Sequence, residues 1–171
     1  LNDIDVQVRQ EQELGKRLVE AQTKAKIDGL TGVKNRYAFL EAEELINRQI
    51  EKRQQQPFAV LVLDVNDLKK VNDTSGHQVG DQYIKNACKV ICKIFSHSPV
   101  FRIGGDEFVV ISQGKDYDRI EELLEELRDH NIEVSGIDGN VIACGMSKYD
   151  KGTDTDISSV IKRADCEMYA R

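Results

Sequence analysis

The apolar positions of this chain follow two spacings in alternation: a helical spacing of three and four residues, and short unbroken runs. Phe39, Ala42, Ile46 and Ile50 share one face of a helix predicted over about 35–54. Pro57 punctuates, and Phe58 to Leu63 is a continuous apolar run of the kind found in strands buried on both faces. That run ends in Asp64. A short helical turn is predicted at 67–71, a loop at 72–76 and a helix over about 79–95 with Ile84, Cys88, Ile91, Cys92 and Phe95 inward. Val100 to Ile111 reads as strand, turn, strand, with Gly104 and Gly105 expected to supply the positive φ of a tight hairpin.

Beyond the hairpin, Tyr117 to His130 predicts a helix with Ile120, Leu123, Leu124 and Leu127 inward and four glutamates on a solvated face. Asp138-Gly139 marks a turn into a strand over 140–146. Asp156 is expected to cap a last helix whose inner face is Ile157, Val160, Ile161, Ala164 and Met168. The order predicts an α+β fold, in which helices surround a central mixed, mostly antiparallel sheet. Its βαββαβ core suits a ferredoxin-like or polymerase-palm arrangement. Ahead of it, residues 1–26 form a polar helical linker with sparse apolar positions at Ile4, Val8, Leu14, Leu18, Ala21 and Ala25. Such a helix buries too little to stand alone, so it is expected to pair with a copy of itself or to continue from an upstream domain. The expected division is a signalling helix at 1–26 and a catalytic domain at 27–171.

Composition narrows the chemistry. At 171 residues, 40% hydrophobic and 32% charged, the chain is sized for one core. A net charge of −6 argues against a general nucleic-acid or anionic-membrane surface, and no stretch has the length and apolarity of a membrane span. Cys88, Cys92, Cys144 and Cys166 contain no CxxC pair, and His77, His97 and His130 complete no zinc pattern. Cys88 and Cys92 read as core packing, and free thiols suit a reducing cytoplasm.

Two features then converge. Asp64 ends the most buried strand, an expensive place for a charge. If the hairpin pairs beside that strand, Asp64 and Asp106 meet at one end of the sheet, where carboxylates repel without a cation between them. Hard oxygen ligands favour Mg²⁺ or Mn²⁺, and divalent metal on a palm-like sheet points to phosphoryl or nucleotidyl transfer. No P-loop sequence is present. The candidate phosphate cradle is Asn66-Asp67-Leu68-Lys69, whose amides open a short helix and whose lysine adds positive charge.

Arg102-Ile103-Gly104-Gly105-Asp106-Glu107-Phe108 resembles the signature of the GGDEF family of diguanylate cyclases, which condense two GTP into cyclic di-GMP and two pyrophosphates. Asp28 to Arg36, Asp64 to Asp73, Thr74 to Asp81 and Ala164 to Tyr169 resemble further family segments in the same order. The resemblance implies metal binding by Asp64, the Val65 backbone carbonyl and Asp106, with Glu107 serving the metal or deprotonating the attacking 3′-hydroxyl. It implies guanine recognition by Asn72 and Asp81, and phosphate contacts by Asp67, Leu68 and Lys69. Gly104 and Gly105 leave room for GTP. It further implies a homodimer for catalysis, an upstream sensor domain, no nucleic-acid partner, no membrane contact by this segment, and a cytoplasmic location, possibly within a larger receptor.

Several positions depart from the family pattern. Asn66 and Leu68 stand where Asp and Phe are usual, Tyr37 where Arg is common, and Ala143 where Ser is frequent. The family's product-inhibition pair, Arg-x-x-Asp, is replaced by Phe95-Ser96-His97-Ser98, so feedback through that site is expected to be absent. The family's later phosphate-binding Lys and Arg fall at positions past Arg171. The leading expectation is an active diguanylate cyclase. The alternatives are a catalytically inactive GTP-binding regulatory module and a cyclase that makes a 3′,5′-cyclic mononucleotide.

Overall fold

The computed structural model describes residues 2–136 and 139–169. Four strands make one sheet: β1 (Ala59–Val65), β2 (Val100–Arg102), β3 (Glu107–Ser112) and β4 (Ile142–Lys148), in the order β2-β3-β1-β4. All three pairings are antiparallel, and an isolated parallel bridge from Lys34 to Phe101 adds the mixed component. β1 lies between β3 and β4, as its unbroken apolar run predicts, and every residue in it except Asp64 is buried.

Helices cover both faces. They are α1 (Asn2–Lys24), α2 (Arg36–Glu51), α3 (Leu68–Ser75), α4 (His77–Ile94), α5 (Gly114–Asp118), α6 (Ile120–Val134) and α7 (Ile157–Tyr169). Because strand side chains alternate, Leu61, Leu63 and Val65 pack with Ile84, Ile91, Leu123 and Leu127 of α4 and α6. Val60 and Val62 face the other way, onto Phe39 and Ile46 of α2 and Val160 and Ala164 of α7. α7 lies so close to β4 that a Cβ at Gly145 would come within 2.0 Å of the Ala164 carbonyl oxygen.

Capping fixes two helix starts where the sequence places them. The Asn35 side chain accepts from Ala38 N at 3.0 Å to open α2, and Asp156 accepts from Ser159 N at 3.3 Å to open α7. α2 ends at Glu51, three residues short of the expected Gln54, and Arg53 takes a φ of 56° just beyond it.

Four expectations need correcting. The stretch 72–76 is not a loop: helix α3 runs through Ser75, and the break is Gly76 alone, whose φ of 86° suits glycine. α4 therefore starts at His77, earlier than Val79. The helix expected over 117–130 is two helices, broken at Arg119 (φ −111°, ψ 19°), after which Ile120 is buried. The last strand begins at Ile142, because Asn140 is turned inward to donate to the Tyr83 carbonyl at 3.0 Å. Of the expected Asp138-Gly139 turn, Asp138 lies outside the described residues.

α1 stands apart from this core. Ile4, Leu14 and Leu18 are 63%, 64% and 60% exposed, so these apolar positions are not buried against the domain. No helix among the described residues is long and apolar enough to cross a membrane.

Candidate active site

The strand register assembles the acids. Asp64 sits directly opposite Glu107 in the β1–β3 ladder, on the face covered by α2 and α7. Val65 N donates to the Asp106 carbonyl at 2.9 Å, which holds the signature turn against the end of β1. The Asp64 and Asp106 carboxyls lie close enough to act on one another, and two charged carboxylates so placed repel unless a proton or a cation comes between them. Burial first, then Asp106 and Glu107, push the Asp64 carboxyl up to about 6. Glu107 is also raised, by burial, then by Asp165 of α7 and by Asp106, against the opposing pull of Arg36 at the start of α2.

The signature turn is built differently from the expected tight hairpin. Neither Gly104 nor Gly105 has a positive φ. Four residues, Ile103 to Asp106, span the turn, and Ile103 N donates to the Glu107 carbonyl at 2.9 Å, so no residue is forced into the left-handed region. A Cβ at either glycine would meet nothing within 4 Å, so the glycines leave open space beside the acids. Positive φ appears instead at Asp67 (φ 65°), where the chain swings from β1 into α3.

That swing shapes the second half of the site. Asp67 makes no side-chain cap bond to α3, which leaves the first-turn amides around Leu68 and Lys69 available to an anion. Lys69 is exposed, and Leu68 packs against the core beneath it. Asn72, on α3, lies against Gly80 of α4: a Cβ there would sit 1.7 Å from Asn72 Oδ1. The residue that follows Gly80, Asp81, is exposed.

Two ties were not read from the sequence. The Tyr83 hydroxyl donates to the Asn66 carbonyl at 3.0 Å, joining α4 to the turn that follows Asp64. Arg102 donates through Nη2 to the Gly105 carbonyl at 2.9 Å, and through Nη1 to both Asp28 oxygens at 3.2 Å. Burial pushes Asp28 up, but bonds from the Thr31 hydroxyl and amide and from Arg102 outweigh it and hold the carboxyl below its usual range. The only sequence signal for the second tie was the presence of Asp28 and Arg102 in two motifs 74 residues apart. Nothing in the local spacing pointed to Tyr83, because its partner is a backbone carbonyl.

The donor set suits a hard divalent cation. Asp64 and Asp106 share one site that repulsion makes unfavourable when both are charged, and a cation relieves it. Among the described residues no group of three or more His, Cys, Asp or Glu side chains could hold a metal by itself. A cation here would take two carboxylates and complete its shell with backbone, phosphate and water oxygens, as Mg²⁺ commonly does.

The family model described as "Diguanylate cyclase, GGDEF domain" matches residues 25–171. The probable diguanylate cyclase DgcT of Escherichia coli (strain K12) is 36% identical over 110 residues, covering 64% of this chain and 24% of that protein. Diguanylate cyclase DgcS of Shewanella oneidensis is 40% identical over 97 residues, 56% of this chain and 32% of that one. The chain therefore spans about a quarter to a third of these relatives. The crystal structure of the coiled coil and GGDEF domain of DgcB from Caulobacter crescentus, in complex with c-di-GMP, aligns with a TM-score of 0.80 at 26% identity. That alignment covers 98% of this chain and 91% of the other. A palm-like sheet that carries the Gly-Gly-Asp-Glu turn against Asp64, and a family match across all but the first helix, lead to one conclusion: this chain belongs to the GGDEF family of diguanylate cyclase domains.

Proposed function

We propose that this chain is an active diguanylate cyclase domain that condenses two GTP into cyclic di-GMP and two pyrophosphates. The observation that carries the proposal is that the strand register sets Glu107 opposite Asp64 and the signature turn holds Asp106 against the end of β1, beside the uncapped start of α3. Asp64, Asp106 and the Val65 carbonyl, with Glu107 in reach, would hold Mg²⁺ or Mn²⁺. Bound there, the cation would offset charge on the α-phosphate and help to activate the 3′-oxygen. Lys69 and the amides at Asp67 and Leu68 bind the phosphates. Asp81 accepts from guanine N1–H and the exocyclic amine, and Asn72 serves the acceptor edge.

Glu107 accepts the proton of the attacking 3′-hydroxyl. Burial and neighbouring acids make its carboxylate a stronger base than an exposed glutamate. The 3′-oxygen forms a bond to the α-phosphorus of the other GTP as the bond to pyrophosphate breaks, and a second transfer closes the ring. Each domain holds one GTP, so the two sites must face each other in a homodimer. The exposed apolar positions of α1 supply a surface for pairing, and residues 1–26 would pass a signal from an upstream sensor to a catalytic unit at 27–171. The similar DgcB fragment comprises a coiled coil and a GGDEF domain. This reading places the domain on the cytoplasmic side, where GTP is available, and predicts no feedback through Phe95 to Ser98.

Mutation of Glu107 and Asp81 tests these roles separately. Glu107→Ala should retain GTP binding and lose turnover by about 10²–10⁴-fold, the scale of a lost general base. Asp81→Ala should relax selectivity for GTP over ATP. Unchanged turnover in the first variant, or unchanged selectivity in the second, would remove that residue's assigned role.

A further inference from the structure

Cys88 and Cys92 are a pair of thiols one turn apart on α4, outside the nucleotide site, with Sγ atoms 4.0 Å apart. Cys88 is 4% exposed and packs in the core, whereas Cys92 is half-buried and lines a cavity of about 350 Å³ with Gly32, Lys34, Phe95 and Ser98. The pair therefore has one buried ligand and one ligand open to an entering group. The Cys88 S–H favours the Cys92 thiolate, holding Cys92 down at about 7, while the same contact and burial push Cys88 up.

Direct closure to a disulfide is not what this geometry offers. Residues four apart on a helix have Cβ atoms about 5–6 Å apart, beyond the roughly 3.5–4.5 Å of a disulfide. Two metal–sulfur bonds of roughly 2.3 Å each span up to about 4.6 Å, and 4.0 Å falls within that reach. Zinc is a poor match, because it takes four ligands and no group of three metal-binding side chains is present among the described residues. Soft thiolates select Cu(I), which accepts two ligands.

We propose that Cys88 and Cys92 form a two-coordinate bis-thiolate site for a soft monovalent cation of the Cu(I) class. Binding forms two metal–sulfur bonds and releases two thiol protons to solvent, with no change of oxidation state when the metal arrives as Cu(I).

The test is anaerobic titration of the full chain with Cu(I) alone, in competition with a chromogenic Cu(I) chelator. Wild type should take up one equivalent, and Cys92→Ser should weaken that uptake at least about 100-fold. The half-exposed position of Cys92 makes this variant compatible with folding, which circular dichroism verifies. Cys166→Ser, at an exposed position, should bind as wild type does. Equal uptake by wild type and Cys92→Ser, or uptake that is lost with Cys166, would overturn the site. The uptake is independent of GTP turnover, so it stands or falls apart from the cyclase reading.

Discussion

Asp64 occupies the one position in β1 that is not fully buried, and its neighbours make ionisation unfavourable in the metal-free domain. A carboxyl raised to about 6 in the folded state contributes stability that is present below its usual range and lost as the pH rises through about 6. Added Mg²⁺ should therefore raise the melting temperature at pH 8 and have little effect at pH 5. Asp106→Asn removes the repulsion. It should raise the metal-free melting temperature at pH 8, by about 2–4 °C for each 1 kcal/mol relieved, while abolishing turnover. Thermal unfolding at both pH values checks this, and a destabilised Asp106→Asn at pH 8 would contradict it. The meeting of Asp64 with the signature acids was legible from a buried run ending in an acid. Its exact register partner, Glu107, and the left-handed Asp67 were not, because both depend on how neighbouring strands align rather than on local spacing.

The corner between α3 and α4 holds the two residues proposed to read guanine, Asn72 and Asp81. Gly80 is the position where Asn72 has no room to yield to a side chain without moving. Gly80→Ala should leave the fold intact, since the clash falls on a side-chain end, and should weaken GTP binding by displacing Asn72. Calorimetry with GTP, alongside circular dichroism, separates the two effects; unchanged affinity would detach Asn72 from guanine recognition. Tyr83→Phe removes the hydrogen bond to the Asn66 carbonyl, worth about 1 kcal/mol, or about fivefold. If the tie positions the phosphate turn, the loss should appear in KM for GTP more than in the melting temperature. The sequence hid the length of α3 because Asn72, Asp73, Thr74 and Ser75 are weak helix formers. Asn72 lies against Gly80 of α4, and Gly76 alone turns the chain.

At the scale of the whole molecule, the sheet and its two helical layers were legible because alternation and buried runs determine both faces. The role of α1 was legible only as an unmet need for a partner. Its exposed Leu14 and Leu18 find none within the domain. Removing residues 1–24 should leave the melting temperature nearly unchanged. It should lower specific activity by about tenfold or more at dilute protein, where tethering sets encounter of the two sites. Activity that is independent of both α1 and protein concentration would contradict catalysis across a homodimer.

Whether these acids join two GTP molecules is read by following pyrophosphate and nucleotide products together during incubation with GTP and Mg²⁺. Cyclic di-GMP should appear with two pyrophosphates released per molecule, and Glu107→Ala should yield neither. A 3′,5′-cyclic mononucleotide with one pyrophosphate each, or tight GTP binding with no pyrophosphate at all, would overturn that chemistry.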